Sequence, residues 1–216
     1  MKQLRTRIKI CGLTRPEDVD AAVALGADAV GFVFYRPSPR FIEPAAAAQL
    51  ARRLPPFVSA VGLFVNAPRA EVEAVLAAVP LDLLQFHGDE AEADCSGFSR
   101  PWLKAARVAP GLDLVEFAGR HPGARAILLD AHVEGFGGGG KVFDWSLIPE
   151  ELAPRAVLSG GLNAQNVADA IARVRPVAVD VSSGVEVAKG IKDPDKMRAF
   201  VAAVRAADAA RMAAAD

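Results

Sequence analysis

The chain has 216 residues, 52% of them hydrophobic, which is enough to bury one core and suits one domain better than two. Lys plus Arg total 25 against 26 for Asp plus Glu, a formal net charge of −1, so no charge excess points to nucleic acid or an anionic membrane as partner. Two cysteines, Cys11 and Cys95, exclude a disulfide scaffold and fit a reduced, cytoplasmic setting. No signal peptide is expected from MKQLRTRIKI, and no stretch approaches the ~18 apolar residues of a membrane span.

Taken in chain order, short apolar runs alternate with helical patterns. RIKIC (7–11) reads as a strand, followed by a helix with Thr14 as N-cap, Pro16-Glu17-Asp18 in its first turn and Gly26 as its stop. DAVGFVF (28–34) precedes a helix at 44–54, and FVSAVGLFV (57–65) one at 68–78. DLLQFH (82–87), WLKAARV (102–108) and RAILLD (125–130) precede helices at 90–95, 112–119 and 145–152. RAVLSG (155–160) and PVAVDVS (176–182) precede helices at 164–173 and 194–209. Near-continuous apolarity is what strands buried on both faces require, and that implies a parallel sheet covered by helices. Eight such repeats favour a single α/β domain over 1–216, a (β/α)8 TIM barrel of eight parallel strands with outer helices. The alternative is an open doubly wound sheet, but no GxGxxG follows the first run. The longest irregular stretch, AHVEGFGGGGKVF (131–143), is expected to form a lid after the sixth strand.

Active sites of such barrels form at the C-terminal strand ends. That rule selects Cys11, Arg36 and Arg40, Asn66, His87, Asp130, Ser159 to Gly161, and Ser182 to Gly184. LSGGLN (158–163) and DVSSGVE (180–186) place small residues just before expected helices. Backbone amides of Gly160, Gly161, Ser182, Ser183 and Gly184 could then approach a phosphate, although each glycine alone could serve only a tight turn. Cys11 is either a buried core thiol or, in cationic surroundings that favour the thiolate, a base. Lys9, two residues earlier, leaves the strand on the same face. A carboxylate closing a buried strand, as Asp130 does, is costly unless solvated, paired or working, and partial burial suits it to proton donation. His87 is either a structural hydrogen-bonder or a pocket residue. The histidines His87, His121 and His132 lack metal-ligand spacing, so no metal is expected.

KICGLT, GADAVGFVFYRPSPR, VGLFVN, LLQFHGDE, ILLDA, GGGGKVFDW, LSGGLN and VDVSSGVE…KGIKD occur in this order from about Ile8 to Phe200. In that register the sequence closely resembles the phosphoribosylanthranilate isomerases of tryptophan biosynthesis. The resemblance implies a cofactor-free Amadori rearrangement of a phosphorylated small-molecule substrate, with Cys11 as general base and Asp130 as general acid. It further implies that Arg40 holds the anthranilate carboxylate and that the last two loops hold the phosphate, and His87 is taken as the candidate that lines the site beside them. Monomer and homodimer both fit. Two alternatives remain: a sugar-phosphate isomerase of histidine biosynthesis, expected to carry aspartate where Cys11 stands, and a non-catalytic sugar-phosphate-binding barrel.

Overall fold

A computed structural model describes residues 5–131 and 142–214. Eight strands close into a barrel: β1 (Arg7–Cys11), β2 (Ala29–Val33), β3 (Ser59–Phe64), β4 (Leu83–Phe86), β5 (Trp102–Val108), β6 (Ala126–Ala131), β7 (Ala156–Leu158) and β8 (Ala178–Val181). Each is parallel to the next, and β8 returns to β1 with Lys9 opposite Asp180. The helices are α1 (Pro16–Leu25), α2 (Pro44–Ala51), α3 (Arg69–Ala78), α4 (Glu92–Cys95), α5 (Leu114–Gly119), α6 (Val167–Val174) and α7 (Pro194–Ala213).

Alternation along each strand sorts the side chains into two sets. Ile8, Ile10, Phe32, Phe64, Phe86, Ile127 and Leu129 face outward into the main core, where helices cover them. The inner face carries two smaller apolar clusters. Leu103, Ala105, Ala126, Leu128 and Val157 form one, and Cys11, Val33, Leu63 and Val65 the other. The buried polar side chains Lys9, Gln85, Asp130 and Asp180 share that inner face. In α7 the buried Met197, Phe200, Val201 and Val204 recur at helical spacing and form its core stripe. Late in the same helix, the Asp208 carboxylate accepts the Thr6 backbone N–H at 2.7 Å and its hydroxyl at 2.8 Å.

The barrel expectation is met, with local departures. α1 begins at Pro16 and stops at Gly26, whose φ of 88° is left-handed, but Arg15 occupies the N-cap. Thr14 instead donates its hydroxyl to the Gly190 carbonyl at 2.8 Å. No α-helix spans 145–152; two 3-10 segments, Trp145–Leu147 and Glu150–Arg155, stand there. Pro149 and Pro154 remove N–H donors from this stretch and obstruct regular α-hydrogen bonding. α6 starts three residues later than expected because Asn163 and Asn166 tie the chain into a turn first: Asn163 Oδ1 accepts the Gln165 and Asn166 N–H groups. After β8 comes a 3-10 turn (Ser183–Val185) and an unanticipated hairpin, β9 (Glu186–Ala188) with β10 (Ile191–Lys192). The expected lid lies largely outside the described residues, which omit 132–141.

Candidate active site

Cys11 ends β1 opposite Gly31 of β2. A Cβ on Gly31 would stand 2.7 Å from Cys11 Sγ, so the sulfur sits in space that only glycine leaves open. Val33, Leu63, Val65 and Tyr35 wall it with apolar surface. Burial therefore pushes the thiol up, against the pull of the Lys9 ammonium. The cationic surroundings expected from the sequence are present in Lys9 and Lys192, but burial outweighs them.

Asp130 projects from β6 on the inner face of Ala126 and Leu128. Its Oδ1 accepts the Ala131 N–H at 2.9 Å, and its Oδ2 lies 3.1 Å from His87 Nε2. On its other side the His87 ring places Nδ1 2.9 Å from the Gln85 amide nitrogen. Gln85 Oε1 is buried without a hydrogen-bond partner among the described residues. His87 is thus placed against the Asp130 carboxyl, a pairing across 43 residues that no local pattern announced.

Arg40 differs from an open fork awaiting a ligand. It is buried, and its Nε and Nη2 each lie 2.8 Å from the two oxygens of Glu186. Its aliphatic stem crosses Gly12, where a Cβ would meet Arg40 Cδ at 2.5 Å. Lys192 also donates to Glu186 at 2.8 Å. Burial raises the Glu186 carboxyl, but Arg40 and Lys192 together hold it below the usual carboxylate range. A guanidinium has five N–H donors, so three remain beyond the two given to Glu186. Arg36, by contrast, is exposed and pairs with Glu43 at 3.0 Å, and Asn66 orders the next loop by accepting the Asp89 N–H at 2.7 Å.

The loops after β7 and β8 touch. A Cβ on Gly184 would fall 1.9 Å from the Leu162 carbonyl oxygen, so these loops can close on each other only at a glycine. Gly160 and Gly161 hold left-handed φ angles of 80° and 64°. Neither run of small residues directly precedes an α-helix as expected: α6 begins at Val167, and only the short 3-10 turn follows Ser182. The Ser182 hydroxyl donates to the Cys11 carbonyl at 3.0 Å. Its single proton is spent there, so Ser182 has only its backbone N–H left to offer an anion.

Arg107 escaped the sequence reading. It faces Asp130 in the β5–β6 register and ion-pairs with Asp89. Within WLKAARV it looks like an ordinary strand residue, and only its alternation with Leu103 and Ala105 puts it on the inner face. Among the described residues, no group of three or more His, Cys, Asp or Glu is arranged to hold a metal ion, and no helix is long and apolar enough to cross a membrane.

A closed parallel barrel whose polar side chains gather at the C-terminal strand ends defines a TIM-barrel enzyme acting on a small molecule at that mouth. Residues 8–203 match the family described as N-(5'-phosphoribosyl)anthranilate (PRA) isomerase. A relative of that name from Dechloromonas aromatica is 67% identical over 205 residues, covering 95% of this chain and 99% of its own. The crystal structure of phosphoribosyl anthranilate isomerase from Thermotoga maritima is 43% identical with a TM-score of 0.85, covering 93% of this chain and 99% of that one. A second crystal structure, of a phosphoribosyl anthranilate isomerase in complex with reduced 1-(o-carboxyphenylamino)-1-deoxyribulose 5-phosphate, is 41% identical with a TM-score of 0.82 over 93% and 99% of the two chains. The chain belongs to the N-(5'-phosphoribosyl)anthranilate isomerase family.

Proposed function

We propose that this protein converts N-(5'-phosphoribosyl)anthranilate to 1-(2-carboxyphenylamino)-1-deoxyribulose 5-phosphate in tryptophan biosynthesis, with Cys11 as general base and Asp130 as general acid. The observation that carries the residue assignment is the arrival of both groups, buried, on the inner face at the C-terminal ends of β1 and β6 in one barrel. The reaction needs two proton movements. Asp130 protonates the furanose ring oxygen and opens the ring to a Schiff base. The iminium acidifies the C2 hydrogen, and the Cys11 thiolate removes it. The resulting enolamine tautomerises to the ketone, so the redox change is internal to the substrate and no cofactor takes part.

For Asp130 to begin with a proton, its Oδ2–H must donate to His87 Nε2. That requires the proton on Nδ1 and the Gln85 amide turned so that Oε1 accepts it. Turning the amide exchanges two atoms of similar size and gives the presently unpartnered oxygen its bond. His87 accordingly serves Asp130 as well as lining the site.

Backbone amides at Gly160, Gly161, Ser183 and Gly184, with Ser182 held as their brace, take the phosphate. Gly184→Ala pries the two loops apart at Leu162, so kcat/KM for the phosphorylated substrate falls on the order of 10²-fold. Wild-type kinetics in that variant would remove the phosphate assignment. The three uncommitted N–H groups of Arg40 hold the planar anthranilate carboxylate. Arg40→Ala therefore raises KM more than it lowers kcat, and steady-state kinetics that leave KM unchanged exclude the contact. The direct test of the activity is turnover by the purified protein, followed as loss of anthranilate fluorescence; no turnover would refute it. Work on a soluble metabolite supports a cytoplasmic protein, and we read it as a monomer or homodimer without nucleic-acid or membrane partners. The histidine-pathway alternative is disfavoured by cysteine at position 11, where that enzyme is expected to carry aspartate.

A further inference from the structure

The mechanism above gives no task to the buried ion pairs Lys104–Glu90 and Lys9–Asp180, and the second of these lies on the strand of Cys11. Lys9 and Asp180 face each other across β1 and β8, with Nζ 2.8 Å from Oδ1 and side chains only 5% and 6% exposed. A buried pair of this kind adds little to stability over well-packed apolar residues, because both charges lose their hydration. Its place in the barrel suggests a different use. Lys9 lies two residues before Cys11 in the same strand, and strand alternation sends both side chains into the barrel.

We propose that Lys9 is a positioning residue for the Cys11 base: its ammonium, tethered by Asp180, pairs with the thiolate and holds it toward the sugar. This rests on the assignment of Cys11 as base. The other charged groups facing the sulfur come from separate elements. Arg40, from the β2–α2 loop, and Lys192, from β10, act on it electrostatically, but both are committed to Glu186. Lys9 alone among these cations stands on the strand of Cys11 and on the same face, where it attracts the thiolate, while Asp180 on β8 opposes ionisation. Burial works against the Lys9 charge, yet Asp180 and the Cys11 sulfur outweigh it and hold the ammonium at about 12. Lys9 therefore stays charged through the cycle. When Cys11 takes the C2 proton the thiolate becomes a thiol, the pairing with Lys9 ends, and Asp180 keeps the ammonium satisfied. No proton leaves Lys9.

A purely structural pair and a positioning pair make opposite demands on variants. If the pair is structural, Lys9→Met and Asp180→Asn both destabilise and neither alters thiolate reactivity in a signed way. If Lys9 holds the thiolate, the two variants shift it in opposite directions. The experiment is the pH dependence of Cys11 alkylation by iodoacetamide in the full-length protein, with the site located by mass spectrometry. Cys95 does not interfere, because burial pushes its thiol up to about 12. Lys9→Met should slow alkylation at neutral pH roughly ten-fold and require more alkaline solution, while Asp180→Asn should accelerate it.

Lys9→Met leaves Asp180 buried and unpaired and so is at risk of misfolding. The double variant Lys9→Met/Asp180→Leu removes both charges and decides the matter if the single variant fails. It should alkylate more slowly than wild type, since the pull of Lys9 on the sulfur is larger than the push of Asp180. Wild-type alkylation profiles in Lys9→Met and in the double variant overturn the proposal, as does slower alkylation in Asp180→Asn. Turnover is read separately: if Cys11→Ser remains active, the base assignment fails, and the alkylation arm still reports on the ion pair itself.

Discussion

Cys11→Ser lowers kcat by roughly 10²–10⁴-fold, leaves KM near the wild-type value and does not change the fold. Serine fits the space that glycine leaves at position 31, and it preserves the Cys11 backbone carbonyl that Ser182 uses. What it lacks is an anion: a hydroxyl beside Lys9 stays protonated where a thiol can ionise. The loss is therefore chemical and should appear in turnover, with thermal unfolding and substrate affinity little altered. A serine variant with near-normal kcat would show that the sulfur takes no proton.

Asp130→Asn has a comparable effect on kcat by a different route. Asparagine is close to isosteric, and its side-chain oxygen can still accept the Ala131 N–H. The remaining amide can hydrogen-bond His87, but it has no acidic proton to give the ring oxygen. Ring opening is then left to water, and the expected loss is again on the order of 10²–10⁴-fold. Single-turnover fluorescence would separate this defect from that of Cys11→Ser, because one precedes the Schiff base and the other follows it. A variant that turns over normally ends the role of Asp130 as acid.

The barrel was legible in the sequence because every strand is covered outside by helices and filled inside by its neighbours. That double burial writes itself as apolar runs such as AILL before Asp130 and VGLF before Val65. The candidate site residues were legible for a related reason: a polar residue at the end of such a run stands at the mouth. What stayed hidden were the partnerships. Arg40 and Glu186 are 146 residues apart, and no local pattern signals that one will occupy two of the other's five donors. Arg107 was invisible because a long, charged side chain in a strand looks the same whether it faces solvent or substrate. The stretch 145–152 has apolar residues at tolerable helical spacing, and only Pro149 and Pro154 decide against an α-helix. The β9–β10 hairpin, with strands of three and two residues, is too short to stand out.

The clasp between Asp208 and Thr6 has a consequence for how the chain comes into being. The backbone N–H and hydroxyl just ahead of the first strand find their buried acceptor 202 residues later. Strand β1 likewise waits for β8 to complete its hydrogen bonding. On the ribosome, Thr6 and the open side of β1 therefore stay without these partners until β8 and Asp208 have been made, and closing the ring waits for that whole length of chain.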